Sequence, residues 1–189
     1  MPTEAQTLYF DHPGPENTDD TLRLARVRAD QLGIRDIVVA SGTGDTGVKA
    51  CSHFTGHNLV VVAGAVGYPD PNVSRMQAAH HATLEAHGVK VVFAGHAFGM
   101  LGRAVKKQFG AIQLDEVIAN TLRVLGTGVK VGCEIVCMAT DAGLIRAGQD
   151  VIAIGGSVRG ADTAAVITAS NTHRFFDTRV QEIICKPKG

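Results

Sequence analysis

Short apolar segments rich in β-branched residues alternate with segments of helical character along most of this chain. The clearest are residues 37–40 (IVVA), 59–62 (LVVV) and 89–93 (VKVVF). Strands that are apolar on both faces belong to parallel sheets covered by helices on both sides. The pattern therefore predicts an α/β fold with three layers, built on a mostly parallel, doubly wound sheet.

The same reading assigns the remaining segments. Three further strands are predicted at 151–154, 164–167 and 181–184, and helices between Asn17 or Thr18 and Gly33 and, roughly, at 45–54, 73–87, 100–108 and 114–125. Asn17 or Thr18 is expected to cap the first of these helices, and Gly33 to end it in a left-handed conformation. Residues 129–145 fit a strand by apolar density, but their length favours a buried helix. No repeat or linker interrupts the chain, which predicts a single domain over residues 1–189.

Charge and composition exclude several classes of protein. The 18 basic and 18 acidic side chains cancel, which argues against a nucleic-acid partner. No apolar run approaches the roughly 18 residues of a membrane helix, and the first eleven residues lack the features of a signal peptide. Four cysteines are too few for a disulfide scaffold. We expect a cytoplasmic protein with no membrane partner.

Glycine is in excess, with 22 residues against about 13 expected from average usage, and the informative ones follow predicted strands. The first such loop leads from strand 37–40 into a helix and supplies six candidate ligand-binding residues: Ser41, Gly42, Thr43, Gly44, Asp45 and Thr46. Hydroxyls and free N–H groups at a helix N-terminus form a site for an anion. Gly42, Gly44 and Gly47 also match the G-x-G-x-x-G dinucleotide fingerprint, but the second strand ends without the acid that would hold a ribose. A phosphate cradle is favoured, with a dinucleotide site or a plain tight turn as alternatives.

A second glycine-rich loop follows strand 151–154. Its candidate binding residues are Gly156, Ser157, Arg159, Gly160, Ala161, Asp162 and Thr163. The guanidinium of Arg159 suits a phosphate or carboxylate. In a doubly wound sheet the fourth strand returns to lie beside the first, and ligands bind at that switch point. Both loops are therefore predicted to face one crevice, although a glycine-rich connection between two strands would look similar without Arg159.

Other candidate residues are weighed against structural roles. Tyr68 follows the second strand in a third glycine-containing loop and offers a ring for stacking, although packing is the more common role. Glu134 interrupts an apolar helix, so it must be paired or face a cavity, with structural pairing favoured over catalysis. Cys133 and Cys137 lack further ligands for zinc and are interpreted as core residues. The eight histidines show no metal-binding pattern, and no metal site is predicted.

Four motifs carry a resemblance to a known family: residues 16–18 (ENT), 38–41 (VVAS) with 44–46 (GDT), 134–135 (EI) with 142–145 (AGLI), and 160–163 (GADT). With them the chain resembles the C-terminal α/β domain of pyruvate kinase over nearly its whole length. It is more similar still to small stand-alone archaeal and bacterial proteins of unknown function built from that domain alone. The resemblance implies the fold of that domain.

The resemblance also implies a ligand and its site. In pyruvate kinase this domain holds no catalytic residues and binds a phosphorylated effector through two loops, which correspond here to 41–46 and 156–163. Members of the stand-alone family hold flavin mononucleotide (FMN), and the family habit implies a homo-oligomer. Kinase activity is not expected, because a catalytic (β/α)₈ barrel alone takes about 250 residues. The chain also lacks the tryptophan often found in the second loop, which argues against a sugar bisphosphate.

The leading hypothesis is therefore a binding domain for a phosphorylated, ring-bearing small molecule, with FMN as the best single candidate. A first alternative is a flavin-dependent oxidoreductase or an enzyme acting on a phosphorylated metabolite, with Asp45, Glu134 or Asp162 as its acid or base. A second alternative is a regulatory or scaffolding module without a ligand.

Overall fold

The computed structural model describes residues 4–188; residues 1–3 and 189, which the single-domain prediction includes, lie outside the described residues. Within residues 4–188 there are seven strands: β1 (Leu8–Phe10), β2 (Asp36–Ala40), β3 (Asn58–Val62), β4 (Lys90–Val92), β5 (Asp150–Gly155), β6 (Thr163–Thr168) and β7 (Arg179–Pro187). The same described part of the chain contains six α-helices: α1 (Thr18–Leu32), α2 (Asp45–His53), α3 (Ala78–Ala86), α4 (Met100–Phe109), α5 (Leu114–Arg123) and α6 (Thr127–Asp141). Short 3₁₀ turns occupy Pro15–Asn17 and Thr172–Asp177.

The strands form one sheet in the order β1-β7-β6-β5-β2-β3-β4. The chain builds outward from β2 through β3 to β4 and then returns to place β5 parallel to β2, with Val38 opposite Ala153. This confirms the predicted α/β class and the mostly parallel sheet. The β5–β6 and β6–β7 pairings are antiparallel. The switch point at which open α/β sheets bind ligands lies between β2 and β5.

Helices cover both faces of the sheet, which gives the three predicted layers. On one face α1, α2 and α3 pack through Leu22, Ala50 and Leu84 against apolar side chains of the central strands. On the other face α5 and α6 cover the alternate residues of the same strands, among them Val38 and Val60. The strands are apolar on both sides because both sides are buried.

The segment of uncertain periodicity folds as the helix α6, and every residue from Val129 to Thr140 except Val131 is buried. A helix that is apolar almost all round lies in a core rather than on a surface. Gly33 ends α1 in the left-handed conformation, as expected. Asn17 is the N-cap residue of α1, but its side chain donates to the His12 carbonyl (2.8 Å) rather than capping the helix.

The predicted helix 73–87 is wrong at its beginning, since α3 starts only at Ala78. The Gln77 N–H donates to the Thr43 carbonyl (3.1 Å), and the Met76 N–H donates to the Ser74 hydroxyl (3.2 Å). These bonds hold the segment before α3 in an extended loop that crosses the end of β2. The loop is thereby brought to the switch point.

Candidate functional site

A cavity of about 290 Å³ lies at the carboxyl edge of the sheet, between the loops that follow β2 and β5. The two loops meet because β2 and β5 are parallel neighbours whose carboxyl ends reach the same edge. The cavity is lined by Ala40, Ser41, Gly42, Thr43, Asp45, Thr46, Arg75, Gln77, Val131, Gly156, Val158, Arg159 and Gly160. Eight of the fourteen residues predicted for the site are among them.

The first loop presents the N-terminus of α2 to this cavity. Ser41 is fixed below it: its N–H donates to the Val62 carbonyl (3.0 Å), and its hydroxyl accepts from the Gly47 N–H (3.0 Å). Gly44 is the N-cap residue, and no side chain caps the helix. The first N–H groups of a helix have no partner within it, so those of Asp45 and Thr46 are available to a ligand. They lie at the positive end of the helix dipole, where an anion is stabilised.

Gly44 is required by both conformation and space. Its φ of +97° lies in the left-handed region, which other residues rarely adopt. A Cβ at this position would lie 2.4 Å from the His80 Cβ and 2.7 Å from the Met76 sulfur. The side chains at the start of α3 therefore pack directly against the backbone of the loop and hold its shape.

Gly47, the third glycine of the dinucleotide fingerprint, packs α2 against the sheet: a Cβ there would lie 2.9 Å from the Val61 Cγ2. Close packing of helix on sheet is the usual role of the third fingerprint glycine. The strand that follows ends at Val62 without an acid at its carboxyl end. The fingerprint spacing is thus explained by packing at Gly47 and by the turn at Gly44.

Asp45 places one acid among these anion-binding groups. Its carboxylate accepts from the Thr43 hydroxyl (2.8 Å), and its Oδ1 lies 3.3 Å from Nδ1 of His80. Asp45 is the first residue of α2 rather than its N-cap, and its side chain does not cap the helix. Of the three acids considered for catalysis, Asp45 is the one that lines the cavity.

The second loop joins β5 to the antiparallel strand β6 and is held from inside by Asp162. This carboxylate is fully buried and accepts from the Ser157 N–H (3.1 Å) and the Thr163 hydroxyl (2.9 Å). The Ala161 N–H donates to the Thr18 hydroxyl (3.0 Å). Ser157, Ala161, Asp162 and Thr163 thus do not line the cavity, because the hairpin turns them back toward the sheet.

Arg159 lines the cavity from the tip of the second loop, and its side chain is exposed. Arg75 lines the same cavity from the loop before α3, with its guanidinium carbon 3.9 Å from the place that a Cβ on Gly42 would occupy. Two guanidinium groups and one helix N-terminus therefore outweigh the single carboxylate of Asp45. This balance favours an anion with several oxygens, which the planar guanidinium fork binds in two places.

Sequence reasoning missed Arg75 and Gln77, because both fell inside the helix predicted for 73–87. A signal was nevertheless present: the loop follows β3, which ends at the same edge as β2 and next to it. Cationic residues in such a loop are candidates for the crevice in any doubly wound sheet.

Tyr68 is not among the residues that line the cavity. The Arg103 guanidinium lies 4.8 Å from its ring centroid and donates a hydrogen bond to its hydroxyl, and His96 meets it edge-on at 6.1 Å. The ring is thus engaged with α4 and with the loop after β4. A ligand ring that stacks on Tyr68, as predicted, would have to approach from the side that Arg103 and His96 leave open.

A second polar cluster lies beneath the carboxyl edge, where Glu134 and Lys130 form a buried ion pair on α6 with 2.6 Å between Oε2 and Nζ. Their side chains are only 4% and 6% exposed. The other carboxylate oxygen of Glu134 accepts from the Phe98 N–H (3.1 Å), and Nδ1 of His96 lies 3.6 Å from Oε2. Glu134 therefore fixes the loop after β4, as the structural interpretation anticipated.

Burial by itself raises the pKa of Glu134, but the adjacent His96 imidazole and the charge and hydrogen bond of Lys130 outweigh it, so the pKa falls to about 2. The carboxylate therefore stays ionised at neutral pH. A general acid needs a pKa near the working pH. Glu134 is accordingly a structural anion rather than an acid for catalysis.

The four cysteines are free and buried. Burial raises the pKa of Cys133 to about 11 and that of Cys137 to about 12, so both remain thiols. His53 and His57 do not share a helix, because α2 ends at His53. Within residues 4–188, no group of three or more metal-ligating side chains is close enough to hold a metal ion.

A comparison of the chain with models of known protein families finds no matching family. No helix within residues 4–188 has both the length and the apolar character needed to cross a membrane.

Proposed function

We propose that this chain binds a phosphorylated small molecule in the cavity between the loops after β2 and β5, and that its ligand is FMN. The observation that carries the proposal is the meeting of the α2 N-terminus, Arg75 and Arg159 around one cavity. Each of these features binds phosphate in proteins, and all three line the same cavity. The resemblance to stand-alone pyruvate kinase C-terminal-like proteins supports the same class of ligand.

The phosphate would lie on the N–H groups of Asp45 and Thr46, with a hydrogen bond from the hydroxyl of Thr46. Thr46 is buried, so its hydroxyl is held in one place by packing. Arg75 and Arg159 would approach from the two sides of the mouth and neutralise the phosphate charge.

The size of the cavity limits how much of the ligand it holds. At about 290 Å³ it lies at the lower end of the roughly 300–1,000 Å³ typical of small-molecule sites. The phosphate and the first part of the attached chain would fill it, and the ring would lie at the mouth. Val158, whose surface is 81% exposed, offers apolar contact there. FMN, when bound, supplies redox chemistry, and the residues of this chain would position it.

Isothermal titration of the purified protein with FMN tests the proposal. Arg159→Ala and Arg75→Ala should each weaken binding roughly 10- to 150-fold, because a hydrogen bond to a charged group contributes about 1.5–3 kcal/mol. Arg146→Ala is the matched control: Arg146 is also exposed but precedes β5, at the opposite edge of the sheet.

An unchanged dissociation constant in both cavity variants would refute the site while leaving FMN binding intact. Absence of binding to the wild-type protein would refute FMN as the ligand.

A further inference from the structure

His80, in the first turn of α3, contacts the anion-binding loop although it does not line the cavity. Its Nδ1 lies 3.3 Å from Oδ1 of Asp45 and 3.0 Å from the carbonyl oxygen of Thr43. The other carboxylate oxygen of Asp45 accepts from the Thr43 hydroxyl (2.8 Å). The Cβ of His80 packs against the backbone of Gly44. One imidazole thus holds three consecutive residues of the loop and lies beside its single carboxylate.

The two neighbours of Nδ1 assign its proton. The Thr43 carbonyl and the Asp45 carboxylate are both acceptors, so Nδ1 carries a proton whether the ring is neutral or charged. The second proton of the ring therefore enters and leaves at Nε2. An imidazole is the side chain that ordinarily changes charge between about pH 5 and 8. The net charge of the Asp45–His80 pair is accordingly the quantity that a change of pH alters at this site.

The carboxylate of Asp45 has opposite effects on its helix and on a bound anion. At the first position of α2 it stabilises the positive end of the helix dipole. An anion on the Asp45 N–H comes within about 7 Å of that carboxylate, because one residue carries both groups. This distance is shorter than the Debye length of about 8 Å at physiological ionic strength, so the two negative charges repel each other. A positive charge on His80 offsets the repulsion.

The other charged groups around the pair do not remove this effect. Lys49 lies one turn further along α2, but it is paired with Asp19 (3.0 Å). Arg75 and Arg159 line the cavity and stay charged at every pH of interest, so their contribution is constant. The N-terminus of α3 opposes a positive charge on His80, whereas the carboxylate 3.3 Å away favours it.

We propose that His80 controls the anion affinity of the cavity through Asp45. The charged imidazole neutralises the carboxylate and tightens binding, and the neutral imidazole leaves the carboxylate to oppose it. His80 is a positioning residue, since it acts through Asp45. The inference rests on the proposed anion site but not on the identity of its ligand. The predicted direction is distinctive, because a phosphate monoester loses charge below its second pKa of about 6 and an ordinary phosphate site then binds it more weakly.

Titration with sulfate tests the proposal, because sulfate keeps both of its charges across the imidazole range of about pH 5–8. The amide signals of Asp45 and Thr46 in NMR spectra report binding at the site itself. Sodium chloride keeps the ionic strength constant, since salt screens the interaction. We expect the sulfate dissociation constant of the wild-type chain to rise roughly 2- to 5-fold between about pH 5.5 and pH 8, the effect of one partly exposed charge.

Three variants assign the pH dependence. His80→Asn keeps an N–H for the Thr43 carbonyl but does not titrate, so its affinity should stay near the wild-type value at about pH 8. Asp45→Asn removes the repelling charge, so at about pH 8 it should bind sulfate as tightly as the wild-type chain does at about pH 5.5. His81→Asn is the matched control, because His81 is the next residue of α3 but lies 3.8 Å from Glu85. It should keep the wild-type pH dependence.

A sulfate affinity that does not change with pH, or that changes equally in His80→Asn, would overturn the proposal. Weaker binding in Asp45→Asn at about pH 8 would also overturn it, because the carboxylate would then assist the anion. If sulfate shifts neither amide signal at any pH, the anion site is refuted together with this inference. Failure of FMN to bind would refute that ligand only, and the sulfate titration would still decide the role of His80.

Discussion

Replacing one partner of the buried Lys130–Glu134 pair should destabilise the protein severely. Glu134→Gln keeps an oxygen that accepts from the Phe98 N–H, but it leaves the Lys130 ammonium without a counter-charge in a site that is 6% exposed. Breaking a buried pair in this way costs about 3–5 kcal/mol. The lowered pKa of Glu134 leads to a similar figure: a fall from 4.5 to about 2 corresponds to about 3 kcal/mol of native-state stabilisation.

Urea denaturation followed by circular dichroism measures this loss. For a chain of this size, 3–5 kcal/mol corresponds to a fall in Tm of roughly 6–20 °C. The double variant Lys130→Met/Glu134→Gln is the matched control, because it removes both charges and keeps the oxygen that accepts from the Phe98 N–H. Replacing both partners of a buried ion pair is often neutral or stabilising. A loss below about 1 kcal/mol in Glu134→Gln, or an equal loss in the double variant, would refute the reasoning.

Three further predictions follow from named contacts. Because the pKa of Glu134 is lower in the folded state, its stabilisation is complete above about pH 4.5 and is lost as the pH falls toward 2. The urea midpoint should therefore fall over that range, and it should fall less in Lys130→Met/Glu134→Gln. Gly128→Ala should lower the free energy of unfolding, measured in urea, by about 1–3 kcal/mol, because the new Cβ would lie 2.0 Å from the Thr163 hydroxyl oxygen. Gly132→Ala is the control and should cost less, because the nearest atom to its Cβ would be 3.3 Å away. Equal losses in the two variants would contradict this packing. Burial raises the pKa of three thiols: Cys133 (about 11), Cys137 (about 12) and Cys185 (about 11). These thiols should therefore react slowly with a thiol-exchange reagent in the native protein at neutral pH and quickly in urea. Fast reaction of these thiols in the native protein would contradict their burial.

The architecture was predictable because the apolar pattern of each central strand shows that both of its faces are buried. Residues 37–40 and 59–62 are apolar on both faces, and only a sheet covered on both sides buries such strands. The return of β5 to the side of β2 follows from the rules for doubly wound sheets. The antiparallel course of β6 was not predicted, since apolar pattern carries no strand direction.

Only those site residues could be predicted whose role follows from the composition of their own loop. The glycines and hydroxyl residues of 41–46 predict a helix N-terminus from the sequence alone, and most of these residues line the cavity. Arg75 reaches the cavity through hydrogen bonds between distant segments, such as that from the Gln77 N–H to the Thr43 carbonyl. Asp162 faces inward because it lies in the turn of the β5–β6 hairpin and bonds to the Ser157 N–H across that turn. Contacts between segments far apart in the sequence cannot be predicted from local hydropathy or loop composition.

Comparison of FMN with riboflavin in thermal unfolding tests the central claim most directly, because the two ligands differ only in the phosphate. If the phosphate is held by the α2 N-terminus, Arg75 and Arg159, FMN at 100 times its dissociation constant should stabilise the protein by about 2.7 kcal/mol. Riboflavin at the same concentration should give little or no shift. Equal stabilisation by both ligands would contradict recognition through the phosphate, and a shift with neither would contradict a flavin site in this chain.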